Sequence, residues 1–253
     1  ETGAIYQVNL SQKLVGQIDC TGYQLYKRLR ELSPAPFGAF LDFPELEILS
    51  NSPERFIKVR AGIIQTRPIK GTRPRGKTQE EDQKMRRELL ASEKDKAELL
   101  MIVDLERNDL AKVSEVGTVK VPDLYQLEEY QNVHHLVATV ESKLKQDKDL
   151  VDLIKAAFPG GSITGAPKIR AMEIIDELEP TQRNIYTGAI GYLGFDGSLD
   201  LNIAIRTIVK VGERISFQVG GGITWDSNPL AEYEETLHKA EAIIKAVGGY
   251  YEG

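Results

Sequence analysis

The sequence predicts an α+β fold whose sheets are mostly antiparallel. Two observations carry that expectation. Runs of period-two alternation come as meanders, one short strand after another, and the helical stripes are segregated from them. The glycine-rich stretches at Gly160 and Gly220 match neither the phosphate-binding loop nor the dinucleotide fingerprint, so alone they identify no ligand.

The chain opens on residues 5–14, where Tyr6, Val8 and Leu10 face one side and Gln7, Asn9 and Ser11 the other. That is a half-buried strand with amides and hydroxyls on its second face. Thr21 caps a helix whose stripe is Leu25, Leu29 and Leu32, and short strands follow at 37–43, 47–49, 55–59 and 63–66. Ser52-Pro53-Glu54-Arg55 punctuates them. Residues 66–76 read as a loop in which Arg67, Lys70, Arg73 and Arg75 sit among two prolines and two glycines. Such a loop is stiff at its prolines and pliable at its glycines. Thr78 and Glu81 form a capping box for a helix reaching Leu90. Ser92 starts the next, with Leu99, Ile102, Val103 and Leu110 on its apolar stripe. Strands are expected at 118–121, 125–130 and 133–144, then a helix at 151–158. The loop at 159–166 leads to a helix with Pro167 in its first turn. Strands at 186–193, 201–211 and 215–219, the triplet Gly220-Gly221-Gly222 and a helix at 231–247 follow. No repeat, low-complexity tract or linker divides the chain, so one domain over residues 1–253 is expected.

A length of 253 residues suits one large core or two intimate lobes, and 41% hydrophobic with 28% charged residues is ordinary globular composition. The net charge of −6 disfavours nucleic acid as the main partner. The local cation cluster runs against that sign and favours a small anion. No apolar run is long enough to span a bilayer. Cys20 is the only cysteine, which excludes an intrachain disulfide and points to a reducing compartment, the cytoplasm. The abrupt start in strand-like sequence suggests a piece of something longer.

Two carboxylate pairs stand out. Asp95 and Glu98 share a face near the start of one helix, and Glu232 and Glu235 repeat the spacing in the last. Together they suit a hard cation such as Mg²⁺; acidic residues at helix starts also serve capping and the helix dipole alone. Lys70 can meet an anion as a point charge or, when neutral, act as a nucleophile, and a solvated basic loop is the plain alternative. Gly160–Ala166 and Gly220–Gly222 can aim backbone N–H groups at a carboxylate or be tight turns. Arg206, on an alternating strand with Asn202 and Ala204, and Lys239, four residues beyond Glu235, can each grip a carboxylate or be surface charges. His134 and His135 point to opposite faces of a strand, and too few further His or Cys partners exist for zinc. Glu54, in its turn, is a candidate acid or an ordinary turn carboxylate.

Taken together these pieces resemble the chorismate-utilising enzymes from Tyr6 to the last helix. The markers are Ser52-Pro53-Glu54-Arg55, Pro68-Ile69-Lys70-Gly71-Thr72, Val103-Asp104-Leu105-Glu106-Arg107-Asn108-Asp109-Leu110, Ile163-Thr164-Gly165-Ala166-Pro167-Lys168, Tyr186-Thr187-Gly188-Ala189-Ile190-Gly191 and Gly220-Gly221-Gly222. The resemblance implies two mostly antiparallel sheets packed as a sandwich with helices outside, a chorismate-binding catalytic fold. It is similar above all to the branch that forms aminodeoxychorismate for folate biosynthesis. There a lysine occupies position 70, where anthranilate-forming relatives carry Ala; relatives that add water to chorismate place a lysine where this chain has Gln7.

In that branch, the resemblance implies, the Lys70 amine adds at C2 of chorismate as the C4 hydroxyl leaves, and ammonia then adds at C4 and expels the lysine. Glu54 is the general acid. Glu98 and Glu235 ligate Mg²⁺, with Asp95, shorter than the Glu of some relatives, and Glu232 supporting it. Tyr186, Arg206, Lys239 and the Gly220, Gly221 and Gly222 amides hold the enolpyruvyl side chain and its carboxylate, with Thr164 nearby. His135 and Gln7 line the reacting face. Burial and the neighbouring Arg67, Arg73 and Arg75 are expected to favour neutral Lys70. Full-length relatives carry a long N-terminal segment that this chain lacks. Tryptophan feedback and strong dependence on a glutaminase partner are therefore not expected, and free ammonia can serve. The competing readings are an anthranilate-type synthase with an atypical lysine and a non-catalytic glutaminase-binding scaffold; Glu54, Lys70 and both carboxylate pairs weigh against the scaffold.

Overall fold

The computed structural model describes residues 3–248, and the chain falls into two compact units. Among the described residues the first unit comprises 3–54, 163–191 and 202–248, and the second 55–162 and 192–201. Both sheets are antiparallel.

The six-stranded sheet is built from β1 (Gln7–Gln17), β2 (Phe37–Asp42), β3 (Glu47–Ser52), β9 (Gly165–Ala166), β12 (Thr207–Val211) and β13 (Arg214–Thr224), in the order β2-β3-β12-β13-β1-β9. Its spine is the long β1–β13 pair, in register from Gln7↔Thr224 to Gln17↔Arg214. Three helices accompany it in the first unit: α1 (Gly22–Leu32), α5 (Lys168–Leu178) and α6 (Pro229–Ala246). The Thr21 hydroxyl accepts from the Gln24 N–H and the Gln24 side chain returns to the Thr21 N–H, which starts α1 where the capping box predicts. Leu25 and Leu29 are buried in a cluster with Leu49, Ile208, Ile215, Phe217 and Ile243. Taking each leucine out of water is worth about 1.5–3 kcal/mol. The expected third member of the stripe, Leu32, is exposed at the helix end.

The seven-stranded sheet comprises β4 (Arg55–Arg60), β5 (Ile63–Arg67), β6 (Ile69–Pro74), β7 (Lys120–Glu129), β8 (Val133–Lys143), β10 (Ala189–Leu193) and β11 (Leu199–Ile203). Its order is β10-β11-β4-β5-β8-β6, with β7 also paired to β8. The hub is β8. Its run from Leu136 to Val140 is buried, and three strands pair with it. The second unit adds α2 (Gln79–Ala91), α3 (Glu93–Ala111) and α4 (Leu150–Ala157). Thr78 and Glu81 cap α2 reciprocally, the Ser92 hydroxyl accepts from the Asp95 N–H to open α3, and Leu99, Ile102, Val103 and Leu110 are buried as their spacing requires.

Five local expectations change. The basic segment is a strand, β6: cations hide its alternation, but β8 supplies backbone partners, with a register shift between Lys70 and Thr72 where Gly71 takes φ +77°. The strand expected over 201–211 breaks into β11 and β12, so Arg206 does not lie on an alternating strand; its own backbone turns left-handed, φ +49°. Gly220–Gly222 is no turn but the end of β13 opposite Ser11, Leu10 and Asn9. Residues 161–166 hold a 3₁₀ turn and the short β9, and Pro167 is the N-cap of α5 rather than a first-turn residue. The strands expected at 118–121 and 125–130 are one, β7, bulged twice, with Tyr125 at φ +62°.

Candidate active site

Of the residues singled out from sequence, Gln7, Glu54, Thr164, Tyr186, Arg206, Gly220–Gly222, Glu232, Glu235 and Lys239 belong to the first unit. Lys70, Asp95, Glu98 and His135 belong to the second.

In the first unit a series of backbone bonds ties the expected binding residues together. The Ile203 N–H donates to the Glu54 carbonyl (3.0 Å), Ala204 donates to Gly188 (2.8 Å), Thr187 donates to Ala204 (2.9 Å), and Asn51 donates to the Arg206 carbonyl (3.1 Å). The segment is conformationally costly: Asn184, Thr187 and Arg206 all have positive φ, and Thr is β-branched. Strain held by surrounding bonds is a mark of functional segments. The Arg206 guanidinium is half-buried and has no hydrogen-bond or ion-pair partner among the described residues, and loss of water draws its pKa below the usual arginine value. Tyr186 is buried, which pushes its phenol well above the usual tyrosine range. Glu54 is buried in the β3–β4 turn, its N–H held by the Ser52 hydroxyl (3.2 Å). The Thr164 carbonyl accepts from the Asn9 N–H at 2.8 Å, which seats Thr164 beside β1.

A second group in this unit gathers on β13 and α6. The Lys239 ammonium bonds the Gly220 carbonyl (3.0 Å) and pairs with the Glu235 carboxylate (2.7 Å). Gly221 turns its bare Cα toward the same place: a Cβ there would lie 3.4 Å from Glu232 Oε2 and 3.9 Å from Lys239 Nζ. At Gly222 the Gln7 amide occupies the space a Cβ would take, so a side chain there would have to displace Gln7. Pairing of β12 with β13 ends at Phe217, so on that side the glycines have no neighbouring strand. Glu232 is buried and accepts from Ser227 Oγ at 2.7 Å. Gln7, the three glycines, Glu232, Glu235 and Lys239 are thus one cluster.

The second unit places Lys70 on β6 with its ammonium donating to the Ser162 carbonyl, 3.1 Å. Next to it the bulge at Gly71 is pressed against the start of α3, where a Cβ would meet Asp95 and Leu89 at 2.9 Å. Thr72 Oγ1 bonds His135 Nδ1 at 2.9 Å, and the Tyr130 ring meets His135 edge-on. Burial, then its bond to Glu128, pushes the Tyr130 phenol up to about 12. Lys70, Asp95 and His135 therefore surround one bulge. Glu98 follows one turn along α3 with Lys94 at 3.9 Å. Each arginine expected to act on Lys70 faces a carboxylate of its own: Arg67 with Glu128, Arg73 with Asp95 (3.0 Å), Arg75 with Asp82 (2.7 Å). Their fields at Lys70 are correspondingly screened.

Three residues were not singled out from sequence. Asp82 accepts from Arg75, the Gly76 N–H and His134, which together hold its carboxyl well below the usual range. Arg183 and Glu179 form a pair whose only sequence signal is their spacing of four. The four candidate metal ligands are all carboxylates, the donor set a hard divalent cation takes. Asp95 and Glu98 lie on α3 and Glu232 and Glu235 on α6, and each pair by its donor chemistry suits such a cation. Among the described residues no three His, Cys, Asp or Glu side chains are gathered so as to hold a metal by themselves. No helix among them is long and apolar enough to cross a membrane.

Sequence and structure comparisons agree with this architecture. The chain is 51% identical over 243 residues to aminodeoxychorismate synthase component 1 of Salmonella typhimurium, an alignment covering 96% of this chain and 54% of that one. It is 46% identical over 246 residues, 97% of this chain and 51% of the other, to anthranilate synthase component 1 of Spirochaeta aurantia. The crystal structure of anthranilate synthase component I from Streptococcus pneumoniae superposes with a TM-score of 0.87 at 39% identity, covering 95% of this chain and 53% of that one. The chain spans about half the length of the curated relatives it matches. Residues 1–245 match the chorismate binding enzyme family, and the chain belongs to that family.

Proposed function

We propose that this chain carries the chemistry that converts chorismate and ammonia to 4-amino-4-deoxychorismate. The observation that carries the reading is Lys70, an amine on the β6 bulge with its nitrogen held by the Ser162 carbonyl. A methyl group at that position offers no nucleophile. Neutral Lys70 attacks C2 of the ring as the C4–O bond breaks, and Glu54 supplies the proton with which the hydroxyl leaves as water. General acid help of this kind is typically worth ~10²–10⁴ in rate. Ammonia, free or delivered by a glutamine amidotransferase subunit, then bonds to C4 as the C2–N bond breaks and the lysine amine returns.

Chorismate carries two carboxylates. Arg206, half-buried and without a partner among the described residues, is suited to one of them, assisted by Tyr186, Thr164, Lys239 and the Gly220–Gly222 backbone. Glu98 and Glu235, supported by Asp95 and Glu232, would hold Mg²⁺, whose charge when bound neutralises the ring carboxylate. Gln7 and His135 would line the reacting face.

A second reading, an anthranilate-type synthase, is favoured by the 46% identity to the Spirochaeta aurantia enzyme of that name. The two separate by product. The chain is incubated with chorismate, Mg²⁺ and ammonium, and aminodeoxychorismate lyase is then added. Formation of p-aminobenzoate only after the lyase is expected, and its abolition in Lys70→Ala; anthranilate appearing without the lyase would replace this reading with the second.

A further inference from the structure

We infer that Arg183 is a positioning residue for the substrate wall formed by Thr164 and Tyr186, an inference that rests on the binding roles proposed above for those two residues. Arg183 lies five residues beyond the end of α5, in the turn that leads to Tyr186. Its Nε and Nη2 grip both oxygens of Glu179, at 2.9 and 2.6 Å. The remaining donors reach two other parts of the chain. Nη1 donates to the Ile163 carbonyl at 2.8 Å, and Nη2 also donates to the Asn9 carbonyl at 2.5 Å. The guanidinium carbon lies 5.6 Å from the centroid of the Tyr186 ring. The pair is almost out of solvent, 13% and 6% exposed for the two side chains.

Each contact bears on the wall. Ile163 immediately precedes Thr164, and Asn9 is the residue whose N–H holds the Thr164 carbonyl, so one planar group fixes both ends of that connection. The same group lies over the Tyr186 ring, and the Tyr186 N–H donates back to the Arg183 carbonyl at 2.9 Å. Glu179 holds the fork in plane while accepting from both the N–H and the hydroxyl of Ser11, each at 2.8 Å. Lysine, a point charge with no fork and no flat face, cannot serve all four partners at once. The one guanidinium thus joins the two segments that carry Thr164 and Tyr186.

The test is steady-state kinetics of Arg183→Lys, alongside Arg206→Ala as a marker for the binding reading, with thermal melts of each. Misplacement of binding groups by a fraction of an ångström raises KM for chorismate about tenfold in Arg183→Lys, while KM for ammonium stays within about twofold. A purely structural loss would instead lower the active fraction, reducing apparent kcat with both KM values unchanged, and that result overturns the inference. If Arg183→Lys does not fold, Ser11→Ala, which removes one of the donors steadying Glu179, is expected to raise KM for chorismate about threefold in the same direction; an unchanged KM there overturns it equally. Should Arg206→Ala also leave chorismate binding intact, the failure belongs to the proposed binding roles rather than to Arg183.

Discussion

Arg206 in the first unit and the arginines around Lys70 in the second differ in one respect, whether a carboxylate of the fold already faces them. In the second unit, Arg67, Arg73 and Arg75 crowd the strand that carries Lys70, yet each has a carboxylate against it. In the first unit Arg206 is drawn out of water and has no such partner among the described residues. An arginine whose fork already grips a carboxylate has less to offer an anion than one without a partner. A charge withdrawn from water without a match costs several kcal/mol until an anion arrives. Local density of positive charge is therefore a poor guide to where an anion binds; the state of pairing is a better one.

The largest effect that would break this comparison comes from exchanging the roles. Arg206→Ala is expected to weaken chorismate binding about a hundredfold, since truncating a desolvated charge opposite a carboxylate costs 2–5 kcal/mol. Its melting temperature should stay level or rise, because an unmatched buried cation is removed. Arg75→Ala should do the reverse, lowering the melting temperature and leaving chorismate affinity within about twofold, as an arginine spent on Asp82 has no ligand to lose. Calorimetric titration and thermal melts of the two variants read both quantities. Weakened binding in Arg75→Ala with none in Arg206→Ala would invert the comparison.

A smaller effect sharpens it through pH. Arg75, first among its causes, holds the Asp82 carboxyl well below its usual range, so folding favours the ionised form. The contribution is complete above the unfolded value near ~3.9 and is lost as pH falls through the lower folded value. Asp82→Asn is expected to melt below the parent at pH 7, and the gap should narrow as pH drops below about 4, where unfolded aspartate takes up its proton. A gap that stays constant with pH would mean the Arg75–Asp82–His134 cluster contributes by shape rather than by charge.

Much of this was legible from the residues because local rules and packing agree. The Thr21, Thr78 and Ser92 caps and the α3 stripe follow patterns confined to a few neighbouring positions. The basic segment was misread because its alternation is carried by Arg, Lys and Thr, and only the backbone of β8, more than fifty residues away, makes it a strand. Arg206 was set on a regular strand that the structure breaks at that residue; positive φ at an arginine has no sequence signature. The Arg183 clamp was invisible for a related reason. Glu179 is a neighbour at a spacing of four, but the partners at Asn9 and Ile163 are brought to it only by the fold.

Backbone strain offers the finest cut between the units. Thr187 is left-handed beside Tyr186, and so is Arg206 in the segment hydrogen-bonded to it through Ala204, whereas Ala61, at φ +49°, sits with Gly62, at φ +75°, in the two-residue turn joining β4 to β5. That pair of positive φ values makes a type I′ hairpin turn, which favours Asn or Gly at both positions. Alanine there places its Cβ against the carbonyl at a penalty of roughly 1–2 kcal/mol that nothing nearby needs. Ala61→Asn should raise stability by about 1 kcal/mol in a denaturant titration and leave turnover unchanged. Thr187→Gly removes comparable strain, but with it the hydroxyl bond to the Tyr186 carbonyl, so any gain in stability should come with weaker chorismate binding. If relaxing Thr187 proves as harmless as relaxing Ala61, the strain beside Tyr186 is incidental, and the first unit's claim to the binding residues rests on Arg206 alone.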